Sequence, residues 1–237
     1  MSKPIIAVND VSKIFLMGKE TVIALQRINL EFHENRIYCI VGTSGSGKST
    51  LLNMLAGLEK PTRGNIVYFN KDNIVKMGES KLAKFRRENI GFVFQSYNLL
   101  NQLTAWENVA MPLTFRGYST RIRRRAAKVM LHKVGLGGRA KHLPTQMSGG
   151  QQQRTSIARA FVSHPKIVFA DEPTGNLDTK TSIEVMELIT GMARKLGQTL
   201  IIVTHDKETA DYADTVVTMR DGEILDITHK SEVNNEQ

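Results

Sequence analysis

The stretch Ile37-Tyr38-Cys39-Ile40-Val41-Gly42-Thr43-Ser44-Gly45-Ser46-Gly47-Lys48-Ser49-Thr50-Leu51-Leu52-Asn53-Met54-Leu55-Ala56 decides the fold. It reads as an apolar strand, a glycine-rich turn and a helix, which is the setting of a phosphate-binding loop. Gly42, Gly45 and Gly47 let the backbone curl so that several N–H groups point inward. The helix that follows aims its positive dipole end at the same place. Lys48 adds a full charge for the outer phosphates, and Ser49 offers a hydroxyl to Mg²⁺. Thr43, Ser44, Ser46 and Thr50 complete the cradle.

The bulk properties set limits. A chain of 237 residues can bury a sizeable core. Its 41% hydrophobic and 23% charged residues are ordinary for a globular protein. No apolar run approaches the ~20 residues that span a bilayer. Met1-Ser2-Lys3-Pro4 leads straight into a strand-like segment, so no secretory signal is expected. The single cysteine, Cys39, lies in the apolar run and is expected to be buried. A net charge of +9 fits nucleic acid, an anionic membrane surface or a solvated face. The densest basic cluster runs from Arg121 to Lys128. With no zinc-finger spacing and no aromatic–basic interleaving, nucleic acid is not expected.

Short β-branched runs at residues 4–8 and 22–32 read as antiparallel strands, with Phe15 just after the first. Phe15 is either core or a ring available to stack on a purine. Further strands are expected at 65–69, 90–94, 166–172 and 199–205, and a hairpin at 215–219 and 223–227. Residues 96–163 carry only helical spacing: helices at 104–115, with Pro112 as a kink or break, at 120–134, and at 151–162 with Ser148 as N-cap. Helices are also expected at 79–87 and 181–196, and residues 231–237 read as a frayed tail. Apolar strands alternating with helices imply an α/β fold with a largely parallel sheet. Ligands of such sheets bind beyond the carboxyl ends of the strands.

Four chemical features fall at those ends: the glycine loop, Gln95, the pair Asp171-Glu172, and His205. Asp171 is a candidate Mg²⁺ support, and Glu172 a candidate general base for an attacking water. Gln95 is a candidate Mg²⁺ ligand or water-positioning amide, and His205 a candidate γ-phosphate partner. Alone, Gln95 reads as a surface glutamine and His205 as structural; their shared location raises both. Ser148-Gly149-Gly150-Gln151 is a second anion-type helix start. One nucleotide has no obvious need of two such elements in one chain, so this one is expected to cap a phosphate from another copy.

Taken in order, Gly42 to Thr50, Gln95, Ser148-Gly149-Gly150-Gln151, Asp171-Glu172, Asn176-Leu177-Asp178 and His205 resemble the nucleotide-binding domain of ATP-binding-cassette (ABC) transporters. The resemblance covers essentially the whole chain. It implies a P-loop NTPase fold: a RecA-like core with an antiparallel β subdomain (1–95 and 164–230) and an inserted helical subdomain (96–163). It implies MgATP as ligand, with Lys48, Ser49, Gln95 and Asp171 around the phosphates and metal. It also implies two chains packed head to tail, with Ser148, Gly149, Gly150, Gln151 and Asp178 acting in trans. Phe15 stands at the adenine position, where the family commonly has tyrosine. Met147 stands where leucine is usual, and Glu34-Asn35-Arg36 where a Gly-Glu turn is usual, which implies a strained turn.

Phe94-Gln95-Ser96-Tyr97-Asn98-Leu99-Leu100 and Thr104-Ala105-Trp106-Glu107-Asn108-Val109 look like the macrolide-export, lipoprotein-release and cell-division branch. That implies an ATPase held at the cytoplasmic face of the cell membrane by a separate permease docked near residues 95–109. Trp106 is expected to pack the helical subdomain instead. The alternatives are a soluble ABC ATPase acting on DNA or the ribosome, and a nucleotide-binding module without turnover. The chain has no internal repeat and no long coiled-coil insertion, against the first. The presence of Gln95, Glu172 and His205 together argues against the second.

Overall fold

The computed structural model describes residues 3–18, 20–206 and 208–230. The expected polar tail at 231–237 lies outside them. The chain divides into two compact units, one built from residues up to Lys76 and from Ile201 onward, the other Met77–Leu200.

In the first unit, β1 (Ile6–Met17) pairs antiparallel with β2 (Glu20–Phe32) and with β4 (Arg63–Tyr68), and β5 (Asp72–Asn73) extends this sheet beyond β4. The expected first strand, 4–8, is therefore too short: β1 runs through Phe15 instead of ending before it. The break in its alternation is a bulge. Register shifts fall between Val8 and Val11 and between Val11 and Lys13, and Asp10 takes a left-handed φ of 50°. The unit's second sheet has the order β10-β9-β3-β8. β3 is Ile37–Gly42, β8 is Thr199–Thr204 (entering this unit at Ile201), β9 is Thr215–Arg220 and β10 is Glu223–His229. β3 runs parallel to β9, and β9 turns back antiparallel into β10, as the hairpin pattern predicts. β3 is buried from Ile37 through Val41, Cys39 included.

α1 (Lys48–Leu55) follows β3 and buries Leu51, Leu52, Met54 and Leu55. Ala56 closes it through its backbone N–H, and the Tyr68 hydroxyl donates to the carbonyl of Leu55 at the helix end. Between β2 and β3, Asn35 occupies the expected strained turn with φ 60°. Asparagine tolerates that region better than most residues, so the local cost is small.

In the second unit, the opening of β8 (Thr199 and Leu200), β7 (Ile167–Asp171) and β6 (Ile90–Val93) are neighbours in that order, and β6 and β7 are parallel. α2 (Glu79–Asn89) leads into β6. From 94 to 166 no strand occurs among the described residues. That stretch holds α3 (Ala105–Phe115), α4 (Thr120–Lys133) and α5 (Gly149–Phe161). Pro112 does not break α3, which continues to Phe115 with Val109, Ala110 and Leu113 buried. A capping box starts it: Glu107 accepts from the Thr104 backbone N–H at 2.9 Å and its hydroxyl at 2.5 Å. These bonds hold the Glu107 carboxyl below its usual range. α5 begins two residues earlier than its spacing predicts, at Gly149, and α6 (Thr179–Leu196) is capped by Asp178.

The Tyr68–Leu55 bond ties a fully buried phenol to the end of the phosphate-loop helix. Tyr68→Phe is expected to lower the unfolding free energy by about 1–2 kcal/mol, because the buried carbonyl loses that donor. A urea titration of the variant beside the parent measures this; an unchanged midpoint would mean that the bond contributes nothing net.

Candidate functional site: a phosphate loop and a signature turn

The first unit holds the phosphate loop. Gly47, at the N-cap of α1, has φ 93°, and a Cβ there would lie 2.4 Å from the carbonyl oxygen of Ala24 on β2. A Cβ on Gly42 would lie 2.3 Å from the Met219 carbonyl oxygen on β9. The loop is thus wedged between β2 and β9, and only glycine fits both walls. The Gly222 N–H of the β9–β10 turn donates to the Ser46 carbonyl at 3.2 Å and closes the floor. Gly45, with φ 79°, has open space where a Cβ would be.

No side chain caps α1 and no acidic residue stands in its first turn. Helices α5 and α6, by contrast, are capped by Ser148 and Asp178. An uncapped helix start with its N–H groups gathered by a glycine loop is built for an anion. Lys48 is buried; its ammonium donates to the Thr43 carbonyl at 2.7 Å and reaches the Ser46 hydroxyl at 3.4 Å. The charge therefore lies across the loop. Ser46 is buried, whereas Thr43, Ser44 and Ser49 are exposed and Thr50 is half-buried.

Phe15 is half-buried on β1, with the Lys13 ammonium 4.9 Å from its ring centre. Lys13 is itself paired with Glu59 at 2.7 Å. His205 is exposed directly after β8. Its turn is built by Thr204 and Asp206: the Asp206 N–H donates to the Thr204 hydroxyl at 3.1 Å, and Asp206 accepts from the Glu208 N–H and the Thr209 hydroxyl.

The second unit brings three expected motifs into contact. Asp171 ends β7, half-buried, and Glu172 follows with φ 44°. A left-handed carboxylic residue immediately before Pro173 is doubly unusual, because the proline ring disfavours helical backbone there. Such strain costs on the order of 1 kcal/mol and gathers at functional turns. The loop continues to Asp178, which caps α6 by accepting from the Thr181 N–H at 3.1 Å. Hydrogen bonding to Thr181 holds the Asp178 carboxyl below its usual range.

Gln95, two residues past β6, lies over this loop. Its carbonyl accepts from the Asn176 amide at 3.1 Å, and a Cβ on Gly175 would lie 2.8 Å from its Nε2. The signature turn lies against both. A Cβ on Gly149 would lie 3.0 Å from the Tyr97 hydroxyl oxygen and 3.7 Å from Leu177. One on Gly150 would lie 2.7 Å from the Thr181 methyl. Ser148 caps α5 in a reciprocal box with Gln151: its hydroxyl accepts from the Gln151 N–H, and the Gln151 amide oxygen accepts from the Ser148 N–H at 3.2 Å. Met147 is buried, as a replacement for leucine requires. Trp106 is half-buried at the start of α3, with the Arg124 guanidinium 5.6 Å from its ring.

Two residues carry more than their sequence setting announces. Gln153 is fully buried and its amide donates to the Pro173 carbonyl, joining α5 to the turn after Glu172. The Arg159 guanidinium donates to the Tyr97 and Asn98 carbonyls, at 2.7 and 2.5 Å. Tyr97 and Asn98 are left-handed, at φ 60° and 47°, so Arg159 pins a strained turn just after Gln95. Burial lowers its pKa to about 10 and leaves it charged at neutral pH. The one available signal was a cation inside the otherwise apolar run Ile157-Ala158-Arg159-Ala160-Phe161.

A glycine-wedged loop at a helix start, after a buried strand, defines a P-loop nucleotide-binding protein. The known proteins narrow this further. The family model described as ABC transporter matches residues 25–175. An uncharacterized ABC transporter ATP-binding protein of Methanocaldococcus jannaschii is 48% identical over 225 residues, covering 95% of this chain and all of that protein. The macrolide export ATP-binding/permease protein MacB of Wolinella succinogenes is 42% identical over 232 residues, 98% of this chain but only 35% of MacB. A dimeric post-hydrolysis structure of the ATP-binding cassette MJ0796, bound to ADP and Pi, superposes with a TM-score of 0.88 at 40% identity, covering 94% of this chain and 98% of that one. The chain belongs to the ABC transporter family, as its ATP-binding and ATP-hydrolysing cassette.

Arg159→Ala leaves two carbonyls of a left-handed turn without their donor. It is expected to cost about 2–3 kcal/mol of stability and to lower ATP turnover through the loosened Gln95 loop. Arg159→Lys is expected to recover only part of both, because one ammonium does not reproduce a two-pronged fork. Denaturant unfolding and steady-state ATPase assays check this; full rescue by lysine would remove the fork from the account.

Proposed function

We propose that this chain is the ATPase subunit of a membrane transport or force-transmitting complex, and that two copies close head to tail on ATP and reopen after hydrolysis. Lys48 and the loop N–H groups hold the phosphates. Ser49, Gln95 and Asp171 are the oxygen donors that would hold Mg²⁺. Among the described residues no cluster of three or more His, Cys, Asp or Glu side chains offers a metal cage, and a hydroxyl, an amide and one carboxylate fit a cation that keeps phosphate oxygens as ligands. When bound, Mg²⁺ supplies charge compensation at the β/γ-phosphates.

Glu172 takes the proton of the attacking water. Gln95 and His205 sense the γ-phosphate, and Phe15 stacks on adenine. Ser148, Gly149, Gly150, Gln151 and Asp178 complete the partner's site. The MJ0796 cassette structures are dimers, which supports pairing of this chain with a second copy. The functional parts follow the motif order: residues 1–95 with 164–230 as the nucleotide-binding core and 96–163 as the arm that carries the signature.

The observation that carries this reading is the three-way contact in the second unit. One short loop, Gln95 to Asn98, touches the Glu172 loop through Gly175 and Asn176 and the signature through Gly149. A displacement of that loop would reach both the water-activating carboxylate and the surface offered to a partner copy.

The permease surface follows from the same loop. A cleft of about 800 Å³ opens between α2, α3 and the end of α5, lined by Ala83, Arg87, Met111, Pro112, Phe115 and Arg159. Phe115 is 64% exposed beside it. An apolar floor with a cationic rim suits a short amphipathic helix. Arg159 lines the cleft and also grips Tyr97 and Asn98, so an occupant would push directly on the Gln95 loop. This moves the docking centre from residues 95–109 towards α2 and the last turn of α3. No helix among the described residues is long and apolar enough to cross a membrane; in this reading the membrane part is a permease, with this chain at its cytoplasmic face. MacB carries ATP-binding and permease parts under one name, which supports the pairing.

Glu172→Gln keeps shape and hydrogen bonding but removes the base. Nucleotide binding is expected to persist while turnover falls by roughly a hundredfold or more. Equilibrium binding of labelled ATP and a phosphate-release assay separate the two effects. Near-parental turnover would take Glu172 out of the base role.

A further inference from the structure

The chain's positive charge is not spread evenly. Residues 108–170 contain twelve Lys and Arg residues and no Asp or Glu, so they carry more than the whole net charge of +9. Several of the twelve have internal duties. Arg116 donates to the carbonyls of Arg87, Glu88 and Ser163; Arg154 pairs with Glu184 at 2.6 Å; Arg159 holds the Gln95 loop. Six of the other nine lie on α4. Its first turn contains no acidic residue. Glu107, the acid that precedes the segment, is taken up by the Thr104 cap.

α4 has two distinct faces. Ala127, Met130 and Leu131 are buried. On the other side Ile122 and Val129, seven residues apart, are each 51% exposed, and Tyr118, in the loop before the helix, is 46% exposed. Arg121, Arg125 and Lys128 stand exposed beside that stripe at helical spacing. The face thus sets isoleucine and valine in water beside three cations. An apolar stripe flanked by basic residues is the pattern of a helix that lies in a lipid interface.

We propose that the outer face of α4 binds anionic lipid headgroups at the membrane surface, with Arg121, Arg125 and Lys128 on the phosphates and Ile122 and Val129 in the acyl boundary. Charge complementarity selects this occupant. The cytoplasmic loops of a membrane permease are rich in Lys and Arg and would repel this face, whereas the cytoplasmic leaflet is negative and attracts it. Duplex nucleic acid would match the charge but not the exposed aliphatic stripe. The proposal goes beyond the permease reading, and its test contains no permease, so either can fail without the other.

The test is flotation of the purified full chain with vesicles of phosphatidylcholine alone, or with about 30% phosphatidylglycerol, at low and high salt. Binding is expected on the anionic vesicles only and is expected to weaken at high salt. Arg121→Glu/Arg125→Glu/Lys128→Glu is expected to reduce anionic-vesicle binding by at least about tenfold while its ATPase activity in vesicle-free solution stays at the parent's level. Ile122→Ser/Val129→Ser, which keeps every charge, is expected to lose part of the binding, and stands as the deciding variant should the charge-reversed one fail to fold. Equal binding to neutral vesicles, no binding to anionic ones, parental binding by both variants, or tighter binding to duplex DNA than to anionic vesicles would each overturn the proposal.

Discussion

The glycine-shaped start of α1, which no side chain caps, is the constraint that organises the first unit. A helix that begins without a side-chain cap leaves its first N–H groups facing outward, and here no carboxylate stands in for one. Gathering those groups into a cradle demands a backbone that only glycine takes at Gly47, pressed against the Ala24 carbonyl, and at Gly42, pressed against Met219. The walls therefore come from strands far apart in sequence, β2 and β9, and the β9–β10 turn seals the floor through Gly222. The buried strand β3, the hairpin and the antiparallel sheet all border one small volume, which the proposed function gives to a phosphate.

The second unit is organised around a strained turn. Glu172 is left-handed before a proline, and Tyr97 and Asn98 are left-handed just after Gln95. Each costs on the order of 1 kcal/mol, and each is held by a polar side chain of α5: buried Gln153 on the Pro173 carbonyl, half-buried Arg159 on the Tyr97 and Asn98 carbonyls. The helix that begins with the signature turn thus anchors both loops that flank the candidate chemistry. This gives a physical reason for the signature and the Glu172 loop to respond together, and for Arg159 to join them to the cleft beside α3.

How much of this was legible in the sequence depends on range. The phosphate loop, Asp171-Glu172 and the Ser148 cap are local patterns, where a strand end, a turn and a helix start lie within ten or so residues of one another. β1 is longer than its sequence pattern shows, because the bulge at Asp10 breaks the two-residue alternation before Phe15. Pro112 misled because proline costs a helix one backbone bond, and the burial of Val109, Ala110 and Leu113 outweighs it. Beyond its place in an apolar run, nothing in the sequence marks the role of Arg159, because its partners are carbonyls about sixty residues away and no side-chain pattern reports a carbonyl. The cleft beside α3 leaves no sequence signal for a similar reason: a concavity depends on how three helices pack.

The central claim is that the phosphate loop is half of a site whose other half is the signature turn of a second copy. Cysteine pairing tests it directly. With the buried Cys39 replaced by serine and Glu172→Gln present to hold the closed state, one set of chains carries Thr43→Cys and a differently tagged set carries Gln151→Cys. A short bis-maleimide is added with and without ATP. The account predicts ATP-dependent cross-linking between the two sets in preference to links within either set. Links only between like chains, or the same yield without ATP, would contradict it.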